Sequence, residues 1–344
     1  MAIELWRTPA LQHRRHYWGI VLAGGEGKRL RDFLRNEYNQ ESPKQFCAII
    51  GKRSMLKHTL DRAASLIPEH RLLTVISRQH LLYAIEDICT REPKTVITVP
   101  VNRDTAPSIL LSLVHIYNTD PNATAAIFPS DHFILEEDIF MDYVSKAFEF
   151  STMHPDKIVT LGVIPTGSQT GYGWIEKGNI LSSKSEVNFY RVRKFHEKPD
   201  GETMHALLSQ DCVWNTMTMI GKVAFFIQIF KECIPELCKA FERIAYAVGT
   251  PFETEVVSDV FETLPALNFS HVVLERIPQH LAVLPMHNVY WNDWGEEQRI
   301  RYDLQRFVRN DLPQSPEEEL NALAGKEYSI ELLPQVQRQK TAVV

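Results

Sequence analysis

Three glycines and two cations stand together directly after an apolar run near the start of the chain. Gly24, Gly25 and Gly27 remove three Cβ atoms within four positions. Backbone N–H groups can therefore approach a ligand closely, and positive φ angles carry little penalty there. Lys28 and Arg29 add positive charge beside the glycines, and a guanidinium can bind two phosphate oxygens at once. The pattern predicts a site for a phosphate or a nucleobase edge, with an ordinary tight turn as the alternative.

The glycine spacing excludes two common phosphate-binding signatures. The motif Gly-x4-Gly-Lys-Ser/Thr is absent, and residues 24–27 lack the Gly-x-Gly-x-x-Gly spacing of dinucleotide-binding loops. A further cation follows in the segment Pro-Lys-Gln-Phe, where Pro43 restricts the backbone directly before Lys44. This restriction favours a lysine that points back at the glycine loop.

Two aspartates lie in settings that would fix the direction of their side chains. Asp131 follows an apolar strand in Pro-Ser-Asp-His, and Asp293 lies in the aromatic turn Trp-Asn-Asp-Trp-Gly. Mg²⁺ prefers hard oxygen ligands and is commonly held by one or two carboxylates together with substrate phosphates. We predict that the two aspartates bind one Mg²⁺. The alternatives are a helix cap at Asp131 and an ordinary turn at Asp293.

Two short segments could bind a phosphorylated sugar. Glu197 and Lys198 end a predicted strand, where the acid could accept sugar hydroxyls and the base could reach a phosphate. Trp214 offers an aromatic wall, and the Asn215 amide can both donate and accept hydrogen bonds. Surface charge is the alternative for the first segment, and a core tryptophan is the alternative for the second.

Short apolar strands alternate with helical patterns through much of the chain. Strands are predicted at 17–22, 72–76, 95–99, 125–128, 157–164 and 282–284, and helices at 55–66, 81–88, 106–117, 200–209, 223–233 and 253–264. This alternation predicts an α/β fold with a doubly wound, mainly parallel sheet. In such sheets ligands lie beyond the carboxyl ends of the strands, where the glycine loop and Asp131 fall.

Three regions depart from this alternation. Residues 32–42 are polar and lack apolar periodicity, so we predict a mobile loop that closes over the nucleotide. Strands near 172–176 and 189–195 predict a small antiparallel region around the second substrate. Residues 296–344 are charged and largely helical in pattern, which predicts a C-terminal extension that caps the domain or pairs with another subunit.

Composition limits the classes of protein to which the chain can belong. The 344 residues can form one large α/β domain with an appendage, or two domains. The net charge of -6 argues against a general nucleic-acid surface. Five cysteines without a Cys-x-x-Cys pair indicate reduced thiols. No apolar run long enough to span a membrane occurs, and we expect a cytoplasmic protein that binds neither nucleic acid nor membrane.

Taken in order, the segments resemble those of the sugar-phosphate nucleotidyltransferases, and most closely the mannose-1-phosphate guanylyltransferases. The matching segments are 22–30 (Leu-Ala-Gly-Gly-Glu-Gly-Lys-Arg-Leu), 43–46 (Pro-Lys-Gln-Phe), 103–108 (Arg-Asp-Thr-Ala-Pro-Ser), 128–132 (Phe-Pro-Ser-Asp-His), 165–173, 197–199 (Glu-Lys-Pro), 214–215 and 291–295. The Arg-Asp-Thr-Ala-Pro stretch favours the guanylyl, mannose-using branch. The resemblance implies the Rossmann-like sheet of this family.

The resemblance also implies a role for each matching position. The catalytic cations would be Arg29, Lys44 and Lys198. The nucleotide would be bound by Leu22, Ala23, Gly24, Gly25, Gly27, Arg103, Thr105 and Ser130. The sugar phosphate would be bound by Gly171, Tyr172, Gly173, Glu197 and Asn215, and the metal by Asp131 and Asp293.

The implied reaction transfers a nucleotidyl group from a nucleoside triphosphate, with GTP favoured, to a sugar 1-phosphate, with mannose 1-phosphate favoured. Pyrophosphate would leave, the NDP-sugar would serve polysaccharide synthesis, and Mg²⁺ would be the cofactor. The predicted catalytic domain is 1–295, with a nucleotide half at about 17–150 and a sugar-phosphate half at about 151–295. Residues 296–344 form the predicted extension, and a homodimer is compatible with this organisation.

Three departures from the family pattern keep an alternative open. The segment 31–33 replaces the usual Trp-Pro-Leu, and more residues than usual separate Arg29 from Lys44. Met217 stands where a glycine is usual, and Ser270 where an aspartate is usual. The alternative is a catalytically weakened relative that binds a sugar nucleotide as a regulatory or scaffolding subunit. A nicotinamide-dependent oxidoreductase is disfavoured by the glycine spacing.

Overall fold

The structure is a computed structural model that describes residues 14–184 and 187–311. Its strands are β1 (Tyr17–Ala23), β2 (Leu72–Ser77), β3 (Val96–Val99), β4 (Thr124–Pro129), β5 (Phe133–Ile134), β6 (Ile158–Val163), β7 (Gly173–Lys184), β8 (Val187–Glu197), β9 (Cys212–Lys222), β10 (Leu281–Met286) and β11 (Trp291–Asn292). Its α-helices are α1 (Arg31–Tyr38), α2 (Met55–Ala64), α3 (Leu81–Ile88), α4 (Thr105–Thr119), α5 (Glu137–Met153), α6 (Gly201–Leu208), α7 (Val223–Cys233), α8 (Pro235–Ala247), α9 (Glu253–Thr263), α10 (Phe269–Val272) and α11 (Glu297–Asp311).

Nine of these strands form one mixed sheet in the order β3-β2-β1-β4-β9-β6-β10-β8-β7. Parallel pairing joins β3, β2, β1 and β4, and joins β6 with β10. Strand β9 runs antiparallel between β4 and β6. The antiparallel pair β7–β8 lies at the far edge, so the predicted antiparallel region extends the main sheet. The predicted fold class is confirmed.

Helices cover both faces of the sheet, as a doubly wound fold requires. Neighbouring residues of β1 show this alternation, because successive side chains of a strand point to opposite faces. Ile20 is fully buried in the cluster that contains Ile109 of α4, whereas Val21 is fully buried in the cluster that contains Leu56 of α2. Because both faces are covered, strand β1 is apolar at nearly every position.

The carboxyl ends of β1 and β4 lie side by side and carry two of the predicted site segments. Leu22 is paired with Pro129, so the glycine loop after Ala23 begins next to the segment that contains Asp131. The short sheet of β5 and β11 pairs Phe133 with Asn292. This pairing brings the segment after Asn292 to the same edge of the main sheet.

The prediction of a mobile loop over residues 32–42 is wrong for most of its length, because residues 31–38 form α1. Phe33 and Leu34 are buried in a small cluster with Trp294 and Ile300. Asn39 then adopts a left-handed conformation (φ 53°) and ends the helix. Trp294 and Ile300 come from the distant end of the described chain, and the apolar pattern of a two-turn helix was too short to reveal the helix from sequence.

Other local predictions differ in their outcome. The helices predicted at 81–88 and 223–233 are confirmed with the same bounds. Strand β9 and helix α8 were missed, although α8 begins with a proline at its first position, as helices often do. Helix α11 confirms the helical start of the C-terminal extension, whereas residues 312–344 lie outside the described residues. The division into two halves stays a prediction.

None of the helices formed by the described residues combines the length and the apolar character that crossing a membrane would require.

Candidate functional site

One buried side-chain amide stabilises the glycine loop through two hydrogen bonds to its backbone. Gln45 Nε2 donates hydrogen bonds to the carbonyl oxygens of Ala23 (3.2 Å) and Gly25 (2.7 Å). A Cβ atom added to Gly24 or Gly25 would meet no heavy atom within 4 Å. The loop is therefore held from behind, and its two leading glycines face open space in which a ligand could lie.

Gly27 has a different constraint, because its φ is 60°. Replacement by alanine should lower the free energy of unfolding by about 1–2 kcal/mol, since the left-handed conformation is strained for an L-residue. The new Cβ would also lie 3.1 Å from the backbone nitrogen of Lys44. Gly25→Ala is the matched control, and urea denaturation measures both variants. Equal stabilities of the two variants would contradict this account.

Lys44 joins the two predicted carboxylate segments to each other. Its side chain is 5% exposed, and its ammonium lies 3.0 Å from Asp131 Oδ2. The same ammonium donates to the carbonyl oxygens of Asp293 (2.5 Å) and Trp294 (3.2 Å). Helix α1 occupies residues 31–38 of the long segment between Arg29 and Lys44, and the Lys44 backbone nitrogen would lie 3.1 Å from a Cβ atom added to Gly27. A lysine ammonium has three donors, and here each has an acceptor.

Asp131 is held in its charged form at this junction. Partial burial would raise the pKa of its carboxyl, but the Lys44 ammonium counteracts burial, and the pKa lies below its usual value. The Asp131 side chain nevertheless remains 41% exposed. An ionised and accessible carboxylate is what a hard cation requires.

Asp293 is oriented by two hydrogen bonds to the same oxygen. Its Oδ1 accepts from the backbone nitrogen of Gly295 (2.8 Å) and from Nη1 of Arg299 (2.8 Å). A Cβ atom at position 295 would lie 2.8 Å from Asp293 Oδ2, so any larger residue there would displace this carboxylate. The turn chemistry of Trp-Asn-Asp-Trp-Gly therefore fixes the direction of the Asp293 side chain.

The side chains of Asp131 and Asp293 have a donor chemistry that suits Mg²⁺. Carboxylate oxygens are the protein ligands that this ion prefers, and it usually keeps water and substrate phosphates as its other ligands. Within 14–184 and 187–311, no cluster of three or more His, Cys, Asp or Glu side chains could hold a metal ion. Water, and phosphate oxygens once a substrate is bound, would therefore have to complete the coordination sphere.

A second group of predicted residues meets where β7, β8 and β9 lie together. Gly173 is paired with Glu197, and a Cβ atom at Gly173 would lie 3.1 Å from Glu197 Oε2 and 3.2 Å from Asn215 Cβ. Burial raises the pKa of Glu197. Lys198 has its ammonium 3.5 Å from Glu197 Oε1, and its backbone nitrogen donates to the carbonyl of Tyr172. The structure thus places all five of these residues in one cluster.

Asn215 has one unused donor inside this cluster. Its Oδ1 accepts from Thr160 Oγ1 (2.8 Å) and from the backbone nitrogen of Met217 (3.1 Å). Its Nδ2 is buried and has no hydrogen-bond partner among the described residues. A buried donor without a partner costs about 1–3 kcal/mol. A ligand oxygen bound at Nδ2 would remove that cost.

A sequence profile described as nucleotidyl transferase matches residues 18–307, a range that contains the glycine loop, both aspartates and the cluster around Asn215. The chain belongs to the nucleotidyl transferase family.

Similar proteins of known name agree with this membership. A mannose-1-phosphate guanylyltransferase from Salmonella muenchen is 29% identical over 284 residues, which make up 80% of this chain and 57% of that protein. Mannose-1-phosphate guanylyltransferase RfbM from Salmonella typhimurium (strain LT2) is 32% identical over 284 residues, which make up 80% of this chain and 56% of that protein. The chain thus spans little more than half the length of these curated relatives.

Solved structures show the same fold. A Thermus thermophilus protein described as mannose-1-phosphate geranyltransferase superposes with a TM-score of 0.69 at 25% identity, covering 81% of this chain and 76% of that one. A Helicobacter pylori protein described as mannose-6-phosphate isomerase superposes with a TM-score of 0.63 at 21% identity, covering 80% of this chain and 99% of that one. The second likeness shows the fold alone.

Three side chains predicted to bind the nucleotide make hydrogen bonds to backbone groups of this nucleotidyl transferase itself. The Arg103 guanidinium donates to two backbone carbonyls at the end of α9, those of residues 261 (2.8 Å) and 262 (2.7 Å). Ser130 Oγ donates to the carbonyl of Leu22 (2.7 Å), and Thr105 Oγ1 accepts from the backbone nitrogen of Phe269 (2.8 Å). These contacts hold neighbouring segments of the site together, and direct nucleotide contact stays a prediction.

Arg29 follows the glycine loop, whereas Met217 lies in β9. Arg29 is exposed and makes no hydrogen bond or ion pair with other described residues, so its guanidinium is available for phosphate. Met217 adopts φ 56°, and its sulfur accepts a hydrogen bond from Ser270 Oγ (3.3 Å). The two departures from the family pattern at positions 217 and 270 therefore contact each other.

The prediction from sequence missed three residues that hold the site in place: Gln45, Arg299 and Asp303. Gln45 lies in a matched motif, and its position next to Lys44 was the available signal. Arg299 and Asp303 belong to α11, whose charged pattern resembles that of any exposed helix. Their contacts appear only after the helix packs on the loop before it.

Proposed function

We propose that this nucleotidyl transferase family member transfers a nucleotidyl group from a nucleoside triphosphate to a sugar 1-phosphate. The observation that carries the proposal is the junction at Lys44, where one buried ammonium contacts Asp131 and the Asp293 segment beside the glycine loop. GTP and mannose 1-phosphate are the favoured substrates, because the relatives named above are mannose-1-phosphate guanylyltransferases. The products are an NDP-sugar, here GDP-mannose, and pyrophosphate.

The reaction requires two anions to be held against each other. A phosphate oxygen of the sugar 1-phosphate attacks the α-phosphorus in line, and pyrophosphate leaves without a covalent protein intermediate. Positioning and neutralisation of charge therefore supply most of the catalysis. Arg29 and Lys44 carry positive charge at the glycine loop, and Lys198 carries it at the sugar-phosphate cluster.

Asp131 and Asp293 would hold Mg²⁺ in this proposal. When bound, the ion would offset negative charge on the phosphate oxygens. The chain's own contribution is to keep Asp131 ionised through Lys44 and to hold Asp293 through Gly295 and Arg299.

The sugar phosphate would lie against Glu197, Asn215 and the turn that ends at Gly173. Asn215→Asp keeps the acceptor for Thr160 but removes the donor at Nδ2, so the KM for the sugar 1-phosphate should rise about tenfold or more. The KM for the nucleoside triphosphate should change little. Steady-state kinetics with each substrate varied in turn measures both constants.

Thr160→Val is the matched control for this prediction. It removes the hydrogen bond to Oδ1 of the same amide. This change should lower the free energy of unfolding and should raise the KM for the sugar 1-phosphate less than Asn215→Asp does. An equal rise of the KM in both variants would contradict the role assigned to Nδ2.

The deciding experiment for the proposed function is a pyrophosphate-release assay. The protein is incubated with Mg²⁺, each of four nucleoside triphosphates and a panel of sugar 1-phosphates. We expect release with GTP and mannose 1-phosphate. No release across the panel, with binding of a sugar nucleotide intact by calorimetry, would overturn the proposal and support a regulatory subunit.

A further inference from the structure

Helix α11 reaches back to two parts of the predicted site through one arginine. Arg299 Nη1 donates to Asp293 Oδ1 (2.8 Å), and Arg299 Nη2 donates to Gln169 Oε1 (2.6 Å). The guanidinium carbon lies 4.5 Å from the centroid of the Tyr172 ring. Asp293 is a predicted metal ligand, whereas Gln169 and Tyr172 belong to the turn predicted to face the sugar phosphate.

This arginine is held in place by its surroundings. Its side chain is 13% exposed, and the partner carboxylate of Asp293 is 18% exposed. The carbonyl oxygen of Gln169 accepts a hydrogen bond from Trp174 Nε1 (2.7 Å), which ties the turn to β7. A planar guanidinium with donors in a fixed fork can join two separate acceptors in a way that the point charge of a lysine cannot.

A second residue of α11 fixes the helix on the same loop. Asp303 is fully buried and accepts hydrogen bonds from Asn292 Nδ2 (2.9 Å), Trp294 Nε1 (2.8 Å) and the Tyr290 hydroxyl. Residues 290, 292 and 294 are therefore attached to one carboxylate of the helix. This attachment sets where Arg299 lies relative to Asp293.

We propose that Arg299 is a positioning residue that couples the Asp293 carboxylate to the sugar-phosphate turn. The proposal rests on the proposed function of this site. Hydrogen bonds to a metal-ligating carboxylate fix its orientation, and their loss typically weakens metal binding about 10–100-fold. Because the same guanidinium also holds Gln169, its removal changes the metal site and the sugar-phosphate turn together.

The test compares Arg299→Gln with the matched variant Arg301→Gln. Arg301 lies on the same helix and pairs with Glu37 and Glu297, away from Asp293 and the turn. We expect Arg299→Gln to raise the dissociation constant for Mn²⁺, added alone and followed by electron paramagnetic resonance, about 10–100-fold. The KM for the sugar 1-phosphate should rise about tenfold. Arg301→Gln should leave both constants near those of the unmodified protein.

Gln169→Leu removes only the second contact of Arg299. It should raise the KM for the sugar 1-phosphate while leaving the Mn²⁺ dissociation constant unchanged, a pattern that a general loss of stability would not produce. It also tests the coupling if Arg299→Gln does not fold.

Three results would overturn the proposal. They are an unchanged Mn²⁺ dissociation constant in folded Arg299→Gln, tighter Mn²⁺ binding in that variant, and an unchanged KM in Gln169→Leu. Tighter binding would mean that the guanidinium competes with the metal for Asp293. If the unmodified protein releases no pyrophosphate, the proposed function fails, whereas Mn²⁺ binding by the two arginine variants still tests the role of Arg299 at Asp293.

Discussion

Replacement of Lys44 by methionine should reduce the rate of pyrophosphate release about 10²–10³-fold. Methionine has a similar length but no charge, so the variant removes the ammonium without opening a large space. The Lys44 charge lies beside the predicted phosphate site, and loss of one preorganised electrostatic group at a reacting anion typically has an effect of this size. Single-turnover kinetics with saturating substrates would measure it.

The same change should also lower stability, for a separate reason. The carbonyl oxygens of Asp293 and Trp294 lose the donor that the ammonium supplies. A buried acceptor without a partner costs about 1–3 kcal/mol. Without the ammonium, burial would also raise the pKa of the Asp131 carboxyl. The rate must therefore be measured on protein shown to be folded by urea denaturation at the assay temperature.

Lys57→Met is the control for Lys44, because Lys57 lies on α2 and pairs with Asp61 (2.6 Å). Its half-buried ion pair, which remains accessible to solvent, should contribute about 1 kcal/mol. We expect near-normal rates in this variant. A folded Lys44→Met protein with a similar rate would show that Lys44 has no part in catalysis.

The substitutions Asp131→Asn and Asp293→Asn should each lower metal-dependent turnover about a thousandfold. A bound metal ion contributes several kcal/mol of charge stabilisation in the transition state, and each 1.4 kcal/mol corresponds to about tenfold in rate. The substitution keeps the shape of the side chain and removes its negative charge. Rates measured over a range of Mg²⁺ concentrations would separate weakened metal binding from lost catalysis.

Asp61→Asn is the control for both aspartates, since Asp61 pairs with Arg53 and Lys57 on the outer side of α2. It should retain near-normal turnover at every Mg²⁺ concentration. If Asp131→Asn or Asp293→Asn also retains near-normal rates, the assignment of that carboxylate to the metal is wrong.

Local sequence patterns were sufficient for the parts of the site that are built from a strand and the turn after it. The glycine loop after β1 and the Pro-Ser-Asp segment after β4 lie together because neighbouring parallel strands end at one edge of a sheet. The apolar runs that predicted these strands are apolar because helices cover both faces. Residue types, spacing and burial point to the same structure there.

Contacts between segments that are distant in the chain could not be predicted from local sequence patterns. Helix α1 has only Phe33 and Leu34 buried, and it is stabilised by Trp294 and Ile300 from the far end of the described chain. Arg103 has the residue type of a phosphate ligand, yet its donors bind the end of α9. A guanidinium makes the same kind of bond to a phosphate and to a carbonyl, so residue type alone does not choose between them.

The amino-acid sequence by itself determined the fold class, the glycine loop and the family, because these depend on periodicity and on turn chemistry within a few residues. Only the tertiary structure decided that Lys44 joins the two aspartate segments and that Arg299 of α11 connects Asp293 to the sugar-phosphate turn. Two of those contacts, from Lys44 to the Asp293 carbonyl and from Arg299 to Gln169, join residues that lie more than a hundred positions apart in the chain. Their geometry is set when the helices and the short sheet of β5 and β11 bury their apolar surfaces together.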